Sequence, residues 1–336
     1  MMKDFNPRQA VRGLLQSIAP ARPLCLPIVF SLGARIENVS LRNFLTNPTK
    51  ISNALRQIRT HLRSDGITCY FDPYLEAEAL GGVLDWESDS RRPSLRWPQP
   101  SQDGELPEGL CAPDETAKRG RVPIAVEVIR RLKPLVRDDF LLVAGVTGPL
   151  TLAAQLAQIQ TGEPARKQSP PDSALNLAAD VTPVVARALV EAGANVILIR
   201  EELLPSSAAA LADWSSRLAS TINIVRFYDA LPVLLLSPAR PPANEIESVL
   251  REPWDAIVSV PVQAAASFTT ERRATGYGIS LPAAVFELDQ SNAAQLTAEL
   301  RKTIVEFHPA LVTTTSDLPS TADLKYLNAI AEEVNC

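Results

Sequence analysis

"ITCYFDPYLEAEALGG", residues 67–82, holds the decision about the fold. From Ile67 to Phe71 the chain is apolar at odd and even positions alike and too short for a helix, as a strand covered on both faces must be. Asp72 and Pro73 then end the run, and Glu76 and Glu78 open a helical pattern. Asp accepts backbone N–H bonds at a turn or cap, and Pro suits a first helical turn. A strand, a polar turn and a helix make one βα unit, so the question is whether the unit repeats.

It does. Short apolar runs bounded by turn residues recur as "LPIVFSLG" near 26–33, "FLLVAGVTG" 140–148, "ANVILIRE" 194–201, "LPVLLLSP" 231–238, "DAIVSVP" 255–261, "GYGISLPAAVFEL" 276–288 and "ALVTTTSD" 310–317. With 67–72 they number eight. Helical patterns lie between them. Residues 47–64 start at Asn47-Pro48 and set Ile51, Leu55, Ile58 and Leu62 along one face. Residues 172–192 carry a broad apolar stripe that ends at Gly193 in a C-cap position, with Pro183 inside as a kink or break. Segments 206–228, 243–251, 291–307 and 321–334 complete the alternation. Eight strands alternating with helices predict an α/β fold, a (β/α)8 TIM barrel spanning 1–336 as a single domain, with an N-terminal helical extension. An open doubly wound sheet is the alternative. It would normally announce itself by a Gly-rich first turn, and the chain has neither G-x-G-x-x-G nor a phosphate loop.

One stretch leaves the pattern. Residues 85–121, rich in Pro and charge, are too long for a connector, so a long loop after strand 2 is expected, a lid or a partly disordered insertion. Trp86, Trp97 and Leu110 are its means of tucking against the body.

Composition narrows the partners. With 46% hydrophobic and 21% charged residues over 336 positions, the chain has ample core material. A net charge of -5 argues against a nucleic-acid surface and for a small-molecule partner. Cys25, Cys69, Cys111 and Cys336 lie far apart with no C-x-x-C pair, so neither a disulfide framework nor a cysteine-rich zinc site is expected, and a reducing cytoplasm fits. The start "MMKDFNPRQAVRGLL" lacks the apolar core of an export signal, and no uninterrupted apolar run of membrane-spanning length occurs, so no membrane association is expected.

In a barrel of this kind, chemistry sits at the C-terminal ends of the strands. Those ends supply Ser31 and Arg35; Asp72, Tyr74 and Glu76; Thr147 and Thr151; Arg200, Glu201 and Glu202; Ser237 and Arg240; and Thr313, Thr314, Thr315 and Asp317. Such a rim can hold an acidic organic molecule through Arg and move protons through Asp or Glu. Polar residues also resume at strand ends simply because the core stops, so convergence carries more weight than any one residue. Metal chemistry has little material: His61 and His308 read as surface residues, away from any cysteine at ligand spacing. With no histidine base at a strand end, a Ser-His-Asp hydrolase is disfavoured.

The pieces "FSLGARI", "FLTNPTKISNALRQI", "CYFDPYLEAEALGG", "VAGVTGPLTLAAQL", "ALVEAGANVILIREELL" and "LVTTTSDLPSTADLKYL", in that order, resemble the uroporphyrinogen decarboxylase superfamily over nearly the whole chain. That superfamily also holds methylcobamide:coenzyme M methyltransferases and relatives of cobalamin-independent methionine synthase. The resemblance implies that Asp72 stands where the decarboxylases place an aspartate against the pyrrole N–H groups, to stabilise charge on a protonating ring. It implies that Arg35 is a carboxylate-binding arginine, with Ser31 where the family has another. Gln155 stands in place of a tyrosine, Glu202 in place of a serine, and Thr315 near a C-terminal histidine. The Gly-Asn-x-Asp-Pro element is missing from "GYGISLPAAVFEL", and the methyltransferases' His-x-Cys zinc motif is missing from "PVLLLSPARPP".

The functional expectation is therefore a cofactor-independent carboxy-lyase acting on a porphyrinogen or another carboxylated substrate. Asp72 and Arg35 are its catalytic pair, and Ser31, Tyr74, Thr151, Gln155, Arg200, Glu202, Thr315 and Asp317 form its substrate site. No metal and no cofactor are expected. The alternatives are a corrinoid-linked methyltransferase-like protein lacking the usual zinc site, and a non-catalytic tetrapyrrole-binding barrel. The resemblance also implies a homodimer.

Overall fold

The computed structural model describes residues 5–98, 106–136, 140–159, 169–237, 243–265, 276–283, 286 and 290–335. Eight strands form one sheet: β1 (Leu24–Leu26), β2 (Gly66–Tyr70), β3 (Leu141–Thr147), β4 (Val196–Glu201), β5 (Leu231–Leu236), β6 (Ile257–Pro261), β7 (Tyr277–Leu281) and β8 (Leu311–Thr314). All neighbours are parallel, in the order β1-β8-β7-β6-β5-β4-β3-β2. Between β2 and β1 the ladder gives way to side-chain and turn bonds. Asp65, just before β2, donates its N–H to the Cys25 carbonyl (3.0 Å) and accepts the Cys25 N–H on Oδ2 (2.8 Å). Arg22 grips both Asp65 oxygens at 2.8 Å. The sheet thus curls into a nearly closed barrel, and the predicted (β/α)8 architecture is the one observed.

Every residue of β2, β3, β4 and β5 is buried, as continuous apolar runs require. The first strand lies earlier than the reading of 26–33: Pro27 has no N–H for the ladder, so pairing stops at Leu26 while Ile28, Val29 and Phe30 stay fully buried. The seventh is likewise shorter, ending at Leu281 before Pro282.

Helices cover the outside. Pro48–His61 starts where Asn47 Oδ1 accepts the Thr49 and Lys50 N–H groups, both at 3.1 Å. Asp172–Ala192 runs through Pro183 unbroken and ends at Gly193, whose φ of 121° lies in the region open to glycine. This helix is apolar and long enough to cross a membrane on composition alone, but half of its apolar window is buried inside the barrel's outer layer, as in a core helix. The N-terminal extension is the short helix Pro7–Leu15.

The insertion after β2 folds back on the body. Its described part forms an antiparallel hairpin, Val83–Asp85 with Ser94–Arg96, and a 3-10 turn, Pro113–Lys118. Trp97 is buried and donates Nε1–H to the Gln155 carbonyl (2.9 Å), while Trp86 and Leu110 pack on the core.

Candidate active site

Four carboxylates are buried at the C-terminal mouth of the barrel: Asp72, Glu76, Glu201 and Asp317. What each touches decides what it can do.

Asp72, after β2, is held by Arg121. The guanidinium donates Nη1–H to Oδ2 (2.8 Å) and Nη2–H to Oδ1 (3.0 Å), and Nε–H goes to Glu78 Oε2 (2.6 Å). Asp72 Oδ1 also takes the Tyr74 N–H (2.9 Å), the turn bond expected of Asp before Pro-Tyr. Burial works against the Asp72 anion, but Arg121 outweighs it and holds the carboxyl below its usual range. Both oxygens are committed and the charge is matched.

Glu201, the last residue of β4, ties down the "TGPLT" turn. Its Oε1 accepts the Leu150 N–H (3.0 Å) and Trp214 Nε1–H (2.9 Å); its Oε2 accepts the Thr151 N–H (2.8 Å) and hydroxyl (2.6 Å). Thr151 Oγ1 in turn accepts the Glu202 N–H (2.8 Å). A Cβ on Gly148 would stand 2.3 Å from Glu201 Cδ, so only glycine lets the carboxylate approach the first helical turn. Burial raises the Glu201 pKa, with these donors pulling the other way.

Next to it the Pro73 carbonyl gathers donors from three elements: Gln155 Nε2–H (2.9 Å), the Thr147 hydroxyl (3.3 Å) and Arg200 Nη2–H (3.5 Å). Arg200 also pairs with Glu202. Burial, followed by the Glu202 charge, raises the half-buried Tyr74 phenol.

On the other side of the mouth, Asp317 joins three segments. Its Oδ1 accepts the Phe30 N–H (2.8 Å), its Oδ2 the Ser31 N–H (3.0 Å), and it bonds the Ser31 hydroxyl and Arg92 Nη2. Arg92 also donates to Ser31 Oγ (2.8 Å), so the insertion is pinned across the ends of β1 and β8. Burial raises the Asp317 pKa against the pull of Arg92 and Ser31. Beside this cluster opens a cleft of about 620 Å³, its walls including Arg35, Arg92, Asp317, Ser90 and Thr321. Arg35 is exposed and donates to the Ala322 carbonyl (2.8 Å), which aims its guanidinium along the wall.

Glu76 differs from the other three. It is fully buried, and neither carboxylate oxygen has a hydrogen-bond partner among the described residues. Thr147 approaches it, but that hydroxyl's proton goes to Pro73. Burial pushes Glu76 up to about 7, opposed in turn by the Thr147 hydroxyl, the N–H groups of Glu76 and Thr147, and the Arg200 charge.

The donor set does not fit the zinc that the resemblance to the methyltransferase branch implies. The described residues hold no group of three His, Cys, Asp or Glu side chains that could ligate a metal. Cys25 and Cys69 are sealed in the core, where burial pushes their thiols up, and Cys111 Sγ faces the Ala79 carbonyl (3.2 Å). His61 and His308 are exposed, on a helix and just after one.

The structure gathers Tyr74, Gln155, Arg200 and Glu202 around the Pro73 turn near Asp72, and Ser31, Arg35 and Asp317 around the cleft. It does not place Asp72 on the wall that Arg35 lines. Thr151 is committed to Glu201, and Thr315 donates its N–H to the Leu281 carbonyl (2.8 Å) without lining the cleft. Arg240 lies outside the described residues. Sequence reasoning missed Arg92 and Arg121. Both lie in the insertion, and only the contacts reveal that it returns cations to the mouth.

A nearly closed parallel barrel whose mouth concentrates carboxylates and guanidiniums places the chain in the (β/α)8 class. The uroporphyrinogen decarboxylase (URO-D) family model matches residues 11–220, more than half of the chain, and the chain belongs to that family. Within it, the chain is 30% identical over 127 residues to the methylcobamide:CoM methyltransferase MtaA of Methanosarcina barkeri, and 28% identical over 139 residues to the methylated-thiol–coenzyme M methyltransferase of Methanosarcina mazei. These matches cover 37% and 41% of this chain and only 36% of each relative's length. A solved methyltransferase from Methanosarcina mazei has the same fold over 99% of both chains, with a TM-score of 0.76 and 18% identity. The similarities thus favour the methyltransferase alternative over the carboxy-lyase expected from the sequence. No finding specifically supports decarboxylation or porphyrin metabolism.

Proposed function

We propose that the protein is a methyl-group transferase that moves a methyl from a corrinoid donor to an anionic small molecule, without the thiolate-bound zinc of its relatives. The observation that carries this reading is the stretch shared at 30% identity with a methylcobamide:CoM methyltransferase. The mouth supports it. Arg35 and Arg92 flank a cleft large enough for a small acid, and guanidinium forks suit sulfonate or carboxylate groups. The carboxy-lyase reading has less support, because Asp72 would have to face a cationic ring while both of its oxygens serve Arg121 and the turn.

The reading is tested by incubating the protein with methylcobalamin and a panel of thiols bearing sulfonate or carboxylate groups, coenzyme M among them, and following demethylation of the corrinoid by absorbance. Parallel samples receive uroporphyrinogen, scored by fluorescence after oxidation. The expected result is methyl transfer that falls on Arg35→Ala. Porphyrinogen decarboxylation without methyl transfer would overturn it.

A further inference from the structure

We propose that Glu76 is the acid–base group of this site and exchanges its proton with the nucleophile of a ligand seated in a polar chamber inside the barrel mouth. The proposal deepens the group-transfer reading and rests on it for the identity of the nucleophile.

Buried polar atoms without partners are rare in folded proteins, and each asks for a water, a ligand or a chemical role. Among the described residues, three of them are serine hydroxyls on or directly after the adjacent strands β5, β6 and β7, and others lie on the helices at the mouth. Thr147, Arg200, Leu235 and Ser259 are successive register partners across β3, β4, β5 and β6, and Ser259 pairs with Gly278 on β7. Register partners, and residues two apart on one strand, share a face. Ser280 therefore shares the face of Thr147 and Arg200, opposite the face on which Glu201 meets Trp214 of an outer helix, and Ser237 directly follows β5. The hydroxyls of Ser237, Ser259 and Ser280 are buried without a partner among the described residues. So is Gln155 Oε1, whose amide nitrogen is spent on Pro73, and so are both oxygens of Glu76. The serine hydroxyls can donate as well as accept, whereas Gln155 Oε1 and the ionised Glu76 oxygens can only accept. A ligand that brings an S–H, O–H or N–H group supplies them with a donor.

The surroundings keep Glu76 able to hold or release a proton. Arg200, from β4, is the charge that acts on it, and that guanidinium is already paired with Glu202. Asp72 and Arg121, on the preceding turn and the start of the next helix, neutralise each other. From the 3-10 turn Pro113–Lys118 the buried residue is the uncharged Thr116, whereas Asp114, Glu115 and Lys118 are exposed. Asp180 of the long helix is exposed as well, and that helix offers Thr182 to the Thr147 carbonyl (3.1 Å). A relative with thiolate-bound zinc can acidify a thiol by coordination. The described residues hold no such donor set, so the proton of the acceptor calls for a base of its own. In the proposed step the S–H bond of the acceptor breaks and its proton passes to a Glu76 oxygen. The sulfur electron pair forms the new S–CH3 bond, and the bond between methyl and donor breaks with its pair left on the donor. Glu76 returns the proton to solvent when the product leaves.

The test compares the full-length wild type with Glu76→Gln, after thermal melts establish that both fold. Infrared difference spectra recorded against pH, without ligand, are expected to contain a carboxyl that titrates near neutrality in the wild type and is missing from the variant. With methylcobalamin and coenzyme M, the wild-type rate is expected to rise through the same pH range. Glu76→Gln should lose about a hundredfold or more in rate, together with that limb of the profile. A Glu76 carboxyl that ionises in the ordinary acidic range, or a variant that keeps the wild-type rate and profile, overturns the assignment. If no thiol in the panel is methylated by the wild type, the group-transfer reading fails, and the ligand-free spectra still decide whether Glu76 holds an exchangeable proton at neutral pH.

Discussion

Replacing Glu76 by Gln should stabilise the protein at alkaline pH and leave it nearly unchanged in mild acid. An unfolded Glu ionises near 4.5, whereas the folded one is pushed up to about 7 by burial. Folding must then keep or replace a proton that the unfolded chain gives up. The sign follows from linkage: between the two values the folded state binds more protons than the unfolded one, so stability falls as pH rises, and the loss is complete above the folded value. At about 1.4 kcal/mol for each tenfold change, the full penalty is about 3 kcal/mol. Glutamine has the same shape and no charge, so it is free of this term at every pH. Urea denaturation of both proteins at about pH 5 and about pH 8 should give a stability difference that grows in favour of the variant by about 2–3 kcal/mol over that interval. A difference that stays flat with pH, or a variant less stable than wild type at the alkaline point, would refute the claim that the wild-type carboxyl is buried without a partner.

Three further perturbations probe the rest of the mouth. Asp72→Ala leaves Arg121 buried with only Glu78 as a counter-ion and should cost about 3–5 kcal/mol by urea denaturation. The same pair gives an acid-labile contribution, present above the ordinary carboxylate range and lost as pH falls through the lowered Asp72 value, so the variant's deficit should shrink in acid. Gly148→Ala sets a methyl 2.3 Å from Glu201 Cδ and should cost about 1–3 kcal/mol, visible as a lowered Tm. Arg92→Ala should cost at most about 1 kcal/mol, because its side chain is 37% exposed. Limited proteolysis should nevertheless cut the 83–96 hairpin faster once its pin to Asp317 is gone, and unchanged cleavage would count against that pin.

The barrel was legible because continuous burial leaves a period-free apolar run that cannot be mistaken for a surface strand, and because Asn47-Pro48 and Gly193 punctuate their helices in the expected way. Strand limits were less legible. They depend on where a neighbour's ladder offers a partner, and Pro27 and Pro282 cut two runs short. Of the mouth residues, strand-end logic named Asp72 and Glu201, at the ends of β2 and β4, and Asp317 and Arg35, farther along the segments after β8 and β1. It could not tell which carboxylates would find cations. Arg92 and Arg121 come from the insertion, and their long-range partners, 225 and 49 residues away along the chain, leave no mark in local spacing.

The four buried carboxylates of the mouth share a residue class and a location, and partners alone separate them. Asp72 has a bidentate guanidinium, Glu201 four donors from one turn and a tryptophan, and Asp317 two backbone N–H groups, a serine and Arg92. Each of these is fixed by hydrogen bonds that would break if its proton count changed, which makes it a poor proton carrier and a good brace. Glu76 has no such hydrogen bond within normal geometry among the described residues, only the weaker pull of the Thr147 hydroxyl and of the Glu76 and Thr147 N–H groups. A carboxyl that its neighbours hold only weakly can change its protonation without dismantling its surroundings, and the braces around it keep the mouth from collapsing when it does.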